Sequence, residues 1–83
     1  MSSEESAMGL TLFSTDGCHL CEQAWGLLEQ MGLSNSTVLE DIINDERWLA
    51  AYAVRIPVLR HMDGRELDWP FTAADIIAFN REI

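Results

Sequence analysis

Within residues 10 to 31 the spacing of apolar side chains changes from a continuous run, Leu10-Thr11-Leu12-Phe13, to a helical period, and the change falls at Asp16-Gly17. A short apolar run closed by Asp-Gly reads as a buried strand. Beyond it, Leu20, Ala24, Leu27, Leu28 and Met31 recur at helical spacing, Glu22, Gln23, Glu29 and Gln30 fall on the opposite side, and Gly32 closes the pattern. A strand that feeds an amphipathic helix, followed by another strand, implies a right-handed crossover with parallel pairing. The chain is thereby committed to an α/β architecture. Both of its cysteines, Cys18 and Cys21, stand at the strand-to-helix junction.

The remaining segments follow the same logic. Thr37 to Leu39, extending toward Ile43, clusters β-branched and apolar residues after the polar Ser34 to Ser36 and reads as the second strand. Asn44 or Asp45 then caps a helix over about residues 45 to 54, whose apolar side carries Trp48, Leu49, Tyr52 and Ala53. Pro57 to Met62 and Arg65 to Trp69 flank Asp63-Gly64, a dipeptide suited to a two-residue type I′ hairpin, so these segments are expected to pair antiparallel. Thr72 with Asp75 forms a variant capping box ahead of Ile76, Ile77 and Phe79, which predicts a closing helix. The order is β-α-β-α-β-β-α, a mixed four-stranded sheet flanked by helices on both faces.

An 83-residue chain is one small domain. We expect it to occupy residues 9 to 83, with the acidic start, residues 1 to 8, as a disordered tail. That start has neither a basic segment nor an apolar stretch and does not read as a secretory signal, so a cytoplasmic location is expected. No apolar run approaches the roughly 20 residues that span a bilayer, and no membrane association is expected. Fourteen acids against five arginines, with no lysine, give a net charge of −9, which repels phosphate backbones and excludes nucleic acid as a partner.

Cys18 falls where the first helix starts and Cys21 one turn further in. Unpaired N–H groups and the positive end of the helix dipole favour a thiolate there, and only the thiolate attacks a disulfide. Cysteines in such settings have pKa values of about 3.5 to 7.5, against about 8.5 when free. Cys18 is the expected exposed attacker and Cys21 the buried resolving thiol. A purely structural bond is disfavoured, because closing a four-residue loop stabilises by only about 2 kcal/mol, against about 4.7 for a 100-residue loop. Redox chemistry leads, with metal handling and an inert pair as alternatives. Asp16 and Glu22 oppose a thiolate by like-charge repulsion. His19 is either an assistant in proton transfer or a solvent-facing residue, and His61 is read as a surface residue. Trp25, Trp48 and Trp69 are expected to supply core area.

The stretch Leu10-Thr11-Leu12-Phe13-Ser14-Thr15-Asp16-Gly17-Cys18-His19-Leu20-Cys21, together with Val54-Arg55-Ile56-Pro57-Val58-Leu59, resembles the thioredoxin superfamily and within it the small bacterial glutaredoxin-like proteins. The resemblance implies a thioredoxin-like, glutaredoxin-type fold and a thiol-disulfide oxidoreductase activity. It implies that Pro57 follows a cis peptide bond against the cysteines and that Ile56 presents its backbone to the substrate. It also nominates Arg55 and Asp75 for the charged ends of glutathione, the candidate co-substrate. His19-Leu20 stands where glutaredoxins carry Pro-Tyr, and Trp69-Pro70-Phe71-Thr72 where their glycines would be. No resident cofactor or metal is expected. The expected partner is a disulfide-containing protein or a small thiol, met by a monomer.

Two other classes compete with this reading. Copper and zinc chaperones also place a Cys-x-x-Cys between a first strand and a first helix, and soft thiolates suit Cu(I). They are the main metal-binding alternative, with an iron–sulfur carrier behind them. Those chaperone domains have two successive strands between their helices and end in a strand, unlike the pattern here. A thioredoxin-fold interaction module without activity is the third reading.

Overall fold

The computed structural model describes residues 9–81. The expected tail at residues 1–8 lies outside the described residues, as do residues 82 and 83. Strand β1 (Leu10–Ser14) leads into helix α1 (His19–Gln30), a 3-10 turn (Ser34–Ser36) and strand β2 (Thr37–Asp41). A second 3-10 turn (Ile42–Asn44) precedes helix α2 (Glu46–Tyr52), the hairpin of β3 (Val58–His61) and β4 (Glu66–Asp68), and helix α3 (Ala73–Arg81). The sheet order is β2-β1-β3-β4, with β1 parallel to β2 and the other pairs antiparallel. This is the expected mixed sheet. Among the described residues, no helix is long and apolar enough to cross a membrane.

Alternation along the strands splits the core in two. Leu10, Leu12 and Leu59 pack with Ala24 and Leu28 of α1 and with Phe71, Ile76 and Phe79 on one face of the sheet. Phe13 and Val58 point the other way and meet Ile42 and Tyr52, with Trp48 and Ile56 against them. Phe13 stacks on Tyr52 at 4.4 Å between ring centroids and takes the edge of Trp48 at 5.3 Å. Trp48 and Tyr52 are one helical turn apart, so even a seven-residue helix holds the second face of the sheet.

Helix α1 stops where Gly32 takes φ +75°, a conformation without penalty only for glycine. Gly32 N–H donates to Glu29 O at 3.0 Å and Leu33 N–H to Leu28 O at 2.9 Å, the two bonds of a Schellman motif. The buried stripe of α1 is Cys21, Ala24 and Leu28. Leu20, expected on that side, is 45% exposed, because it lies one residue, or about 100°, away from Cys21 around the helix. On α2 the buried side narrows in the same way, leaving Leu49 and Ala53 exposed.

Three further expectations are corrected. Strand β2 ends at Asp41, short of Ile43, because the Asp41 carboxylate accepts Ile43 N–H at 3.1 Å and turns the chain into the 3-10 segment. The β3–β4 connection is a three-residue loop, not a type I′ turn. His61 N–H donates to Arg65 O and Gly64 N–H to His61 O, both at 2.8 Å, and Gly64 alone in the loop has positive φ. A type I turn completed by glycine fits this pattern, with Asp63 Oδ1 accepting Arg65 N–H at 3.0 Å. His61 is buried at 1% exposure, because it shares the inward phase of β3 with Leu59 and sets its ring edge-on to Phe79. Its Nδ1 accepts Asp63 N–H at 3.2 Å.

The core makes one size-dependent prediction. Leu28 is fully buried between the sheet and α1. Leu28→Ala is expected to lower the unfolding free energy by about 2–5 kcal/mol, read from urea titrations followed by circular dichroism. An unchanged midpoint would contradict this packing.

Candidate active site

The chain leaves β1 through a tight turn in which Cys18 N–H donates to Thr15 O at 3.4 Å and Gly17 takes φ +79°. A positive φ at the third position of such a turn is a type II geometry that glycine supplies without strain. The turn delivers Cys18 to the N-cap of α1 in extended conformation, φ −89° and ψ 104°. N-caps are normally Ser, Thr, Asp or Asn, whose side-chain oxygen accepts an orphan N–H. Here the acceptor is a sulfur, and Cys21 N–H donates to Cys18 Sγ at 3.2 Å. The two sulfurs are joined as a disulfide, with Cα atoms 5.2 Å apart. Cys18 is half-buried and Cys21 is 4% exposed, so an approaching group meets Cys18 first.

The register of the sheet gathers the surroundings. Parallel pairing sets Ser14 beside Asp41, so β2 ends at the same edge of the sheet as β1. Antiparallel pairing sets Phe13 opposite Val58, and one step further brings Pro57 level with Ser14. A cleft of about 440 Å³ opens on the β2 side of the cysteines, walled by Thr15, Asp16, Glu22, Trp25, Leu39 and Asp41. Ile56 and Pro57 lie outside that wall, on the β3 side. The Ile56–Pro57 peptide is cis and Pro57 is fully buried, its carbonyl accepting Trp69 N–H at 3.2 Å. The Trp69–Pro70 peptide, which no local signal marked, is cis as well.

Arg55 and Asp75 do not line the cleft. The Arg55 guanidinium donates to Glu66 Oε1 at 2.9 Å and to Asp68 Oδ1 at 2.8 Å, while Tyr52 donates its hydroxyl to Glu66 Oε2. The link ties the chain at the end of α2, just ahead of Ile56 and Pro57, to β4. Glu66 is held below the ordinary carboxylate range, first by the Tyr52 hydroxyl and then by Arg55. Burial, then the Glu66 carboxylate, pushes the Tyr52 phenol up. Asp75 closes the capping box, accepting Thr72 N–H at 2.9 Å while its own N–H donates to Thr72 Oγ1 at 3.2 Å. His19 is exposed, its Nδ1 3.9 Å from Glu22 Oε1. Among the described residues, no group of three or more His, Cys, Asp or Glu side chains is placed to hold a metal ion.

A family model described as "Glutaredoxin-like domain (DUF836)" matches residues 9–79, which includes both cysteines and every strand. The chain belongs to the glutaredoxin-like domain family. Its structure is similar to the X-ray structure of target protein XcR50 from X. campestris, at 44% identity and a TM-score of 0.76, over 86% of this chain and 93% of that one. The solution structure of XcR50 gives the same identity with a TM-score of 0.74, over 86% of this chain and 90% of that one. No curated protein matches it. The thioredoxin-like fold is thus shared with solved relatives, and a glutaredoxin-like domain with Cys18 and Cys21 in bonding proximity supports a thiol redox role.

Sequence reasoning missed the β2 wall of the cleft. The signal was present, because once β1 and β2 are read as parallel, the last residues of β2 must emerge beside the cysteine turn.

The Tyr52–Glu66–Arg55 link in this glutaredoxin-like domain makes a pH prediction. A carboxyl held below its unfolded value stabilises the fold above that value, about 4.5 for Glu66, and the contribution is lost as pH falls through the folded value. Urea midpoints of the native protein are expected to fall between about pH 6 and about pH 3, and those of Glu66→Gln to fall less. Parallel curves for the two proteins would remove Glu66 from the acid dependence.

Proposed function

We propose that this chain is a thiol-disulfide oxidoreductase in which Cys18 attacks and Cys21 resolves. The observation that carries the reading is the sulfur of Cys18 at the N-cap, accepting Cys21 N–H, with Cys21 itself buried beneath it. In the reduced protein the Cys18 thiolate attacks one sulfur of a partner disulfide, forming a mixed disulfide and releasing the other partner sulfur as a thiolate. Cys21 then gives up its proton and attacks Cys18 Sγ, closing the Cys18–Cys21 bond and releasing the second partner sulfur. Two electrons pass to the partner, whose two sulfurs leave as thiolates and become thiols by taking up the proton from Cys21 and one from solvent. A thiol reductant runs the same steps backwards.

The helix end favours the attacking thiolate through its N–H groups and dipole. The burial of Cys21 keeps it from reacting until Cys18 has been engaged. On the β3 side the Ile56 backbone, ahead of the buried Pro57, is the contact for the backbone of a bound partner in this reading, and Arg55, one residue earlier, is tied to β4 through Glu66 and Asp68. The partner is a disulfide-bearing protein or a small thiol.

Cys21→Ser is expected to accumulate a mixed disulfide with the partner, seen as a mass adduct that dithiothreitol removes, and Cys18→Ser to abolish exchange. Equal loss in both variants with no adduct would overturn the assignment of attacker and resolver.

A further inference from the structure

The cleft beside the cysteines carries charge of one sign. Asp16 enters it from the turn before Cys18, Glu22 from the first turn of α1 and Asp41 from the end of β2, and among the described residues no arginine lines it. Among the described residues none of these three carboxylates forms an ion pair with an arginine. Arg47, Arg55 and Arg65 are held elsewhere, by Asp45, by Glu66 with Asp68, and by Asp63. Among the described residues the basic side chain beside these acids is His19, exposed and 3.9 Å from Glu22. An anionic partner entering this cleft meets uncompensated like charge, and a cationic one meets its complement.

The other walls suit a peptide. Leu39 is 51% exposed on β2, an outer strand of the sheet, and Trp25 faces the cleft from α1. An extended chain can lie along an unpaired strand and set a side chain into the recess beside it. We propose that this cleft selects peptide disulfides whose cysteine is flanked by basic residues and disfavours anionic partners; the inference rests on the oxidoreductase reading above. The exchange is the one already balanced. A partner guanidinium seated between the carboxylates offsets their repulsion of the Cys18 thiolate and brings positive charge beside the sulfur that departs as a thiolate.

The test uses three peptide disulfides that differ only in the residues beside cysteine: arginine, serine or glutamate. Second-order rates with the reduced protein are divided by those of 2-mercaptoethanol with the same peptides, which removes intrinsic reactivity. The arginine peptide is expected to exceed the glutamate peptide by about 10-fold or more at low ionic strength. The ratio is expected to shrink near 0.5 M salt, where the screening length is only about 4 Å. In Asp16→Asn/Glu22→Gln/Asp41→Asn the ratio falls toward one. Because it is a ratio, it is insensitive to any change in the thiolate fraction of Cys18. Glu22→Gln alone, on the exposed surface of α1, moves the ratio the same way by a smaller factor, which keeps the test usable if the triple variant folds poorly. A control, Glu40→Gln/Glu46→Gln, removes charge outside the cleft and is expected to keep the preference. A ratio near one in the native protein, or an equal fall in the control, overturns the selectivity while exchange with the serine peptide leaves the oxidoreductase reading standing. No exchange with any of the three peptides overturns both.

Discussion

The hydrogen-bonded pairing of β1 on both of its sides fixes everything else near the disulfide. Its parallel partner β2 ends beside Ser14, and its antiparallel partner β3 begins there, so one end of the sheet collects the cysteine turn, Asp41 and Pro57. The faces of β1 are set by the same backbone, since Leu10 and Leu12 enter one core and Phe13 the other. A slip of one residue would exchange those faces and move every group at the sheet end. The site is therefore a product of register before it is a product of side-chain chemistry.

Much of this was legible in the sequence because it rests on short-range signals. The change of apolar period at Asp16-Gly17 located β1 and α1, and Thr72 with Asp75 marked the start of α3. What local patterns missed depends on distant partners. His61 is polar in sequence, yet its phase on β3 turns it inward against Phe79. The loop after it takes three residues, because Asp63 caps Arg65 without needing a positive φ. Arg55, nominated for a charged end of glutathione, is instead engaged by Glu66 and Asp68 once β4 is in place. Asp41 joins the site only when two strands are set side by side.

Two opposing fields act at Cys18. The start of α1 presents N–H groups and a partial positive charge, of which the Cys21 N–H is in hydrogen-bonding contact with the sulfur. Asp16, Glu22 and Asp41 act against it from the cleft. The helix end works at contact distance and through a directed bond, whereas the carboxylates, Asp16 and Glu22 exposed and Asp41 half-buried, act across an open cleft whose solvent screens them. The N-cap geometry thus dominates the sulfur, and the carboxylates govern what approaches it.

The position of β2 on the outside of the sheet has a consequence for crowded solutions. Among the described residues no strand pairs with its outer side, and Val38 and Leu39 stand exposed along it, the ingredients of unwanted templating between molecules. Glu40 and Asp41 follow them directly, and docking two such rims together would press like charges from both molecules into a narrow, partly dehydrated seam. Glu40 and Asp41 thereby stand as charged gatekeepers beside the exposed apolar pair, and Asp41 does so while also lining the cleft.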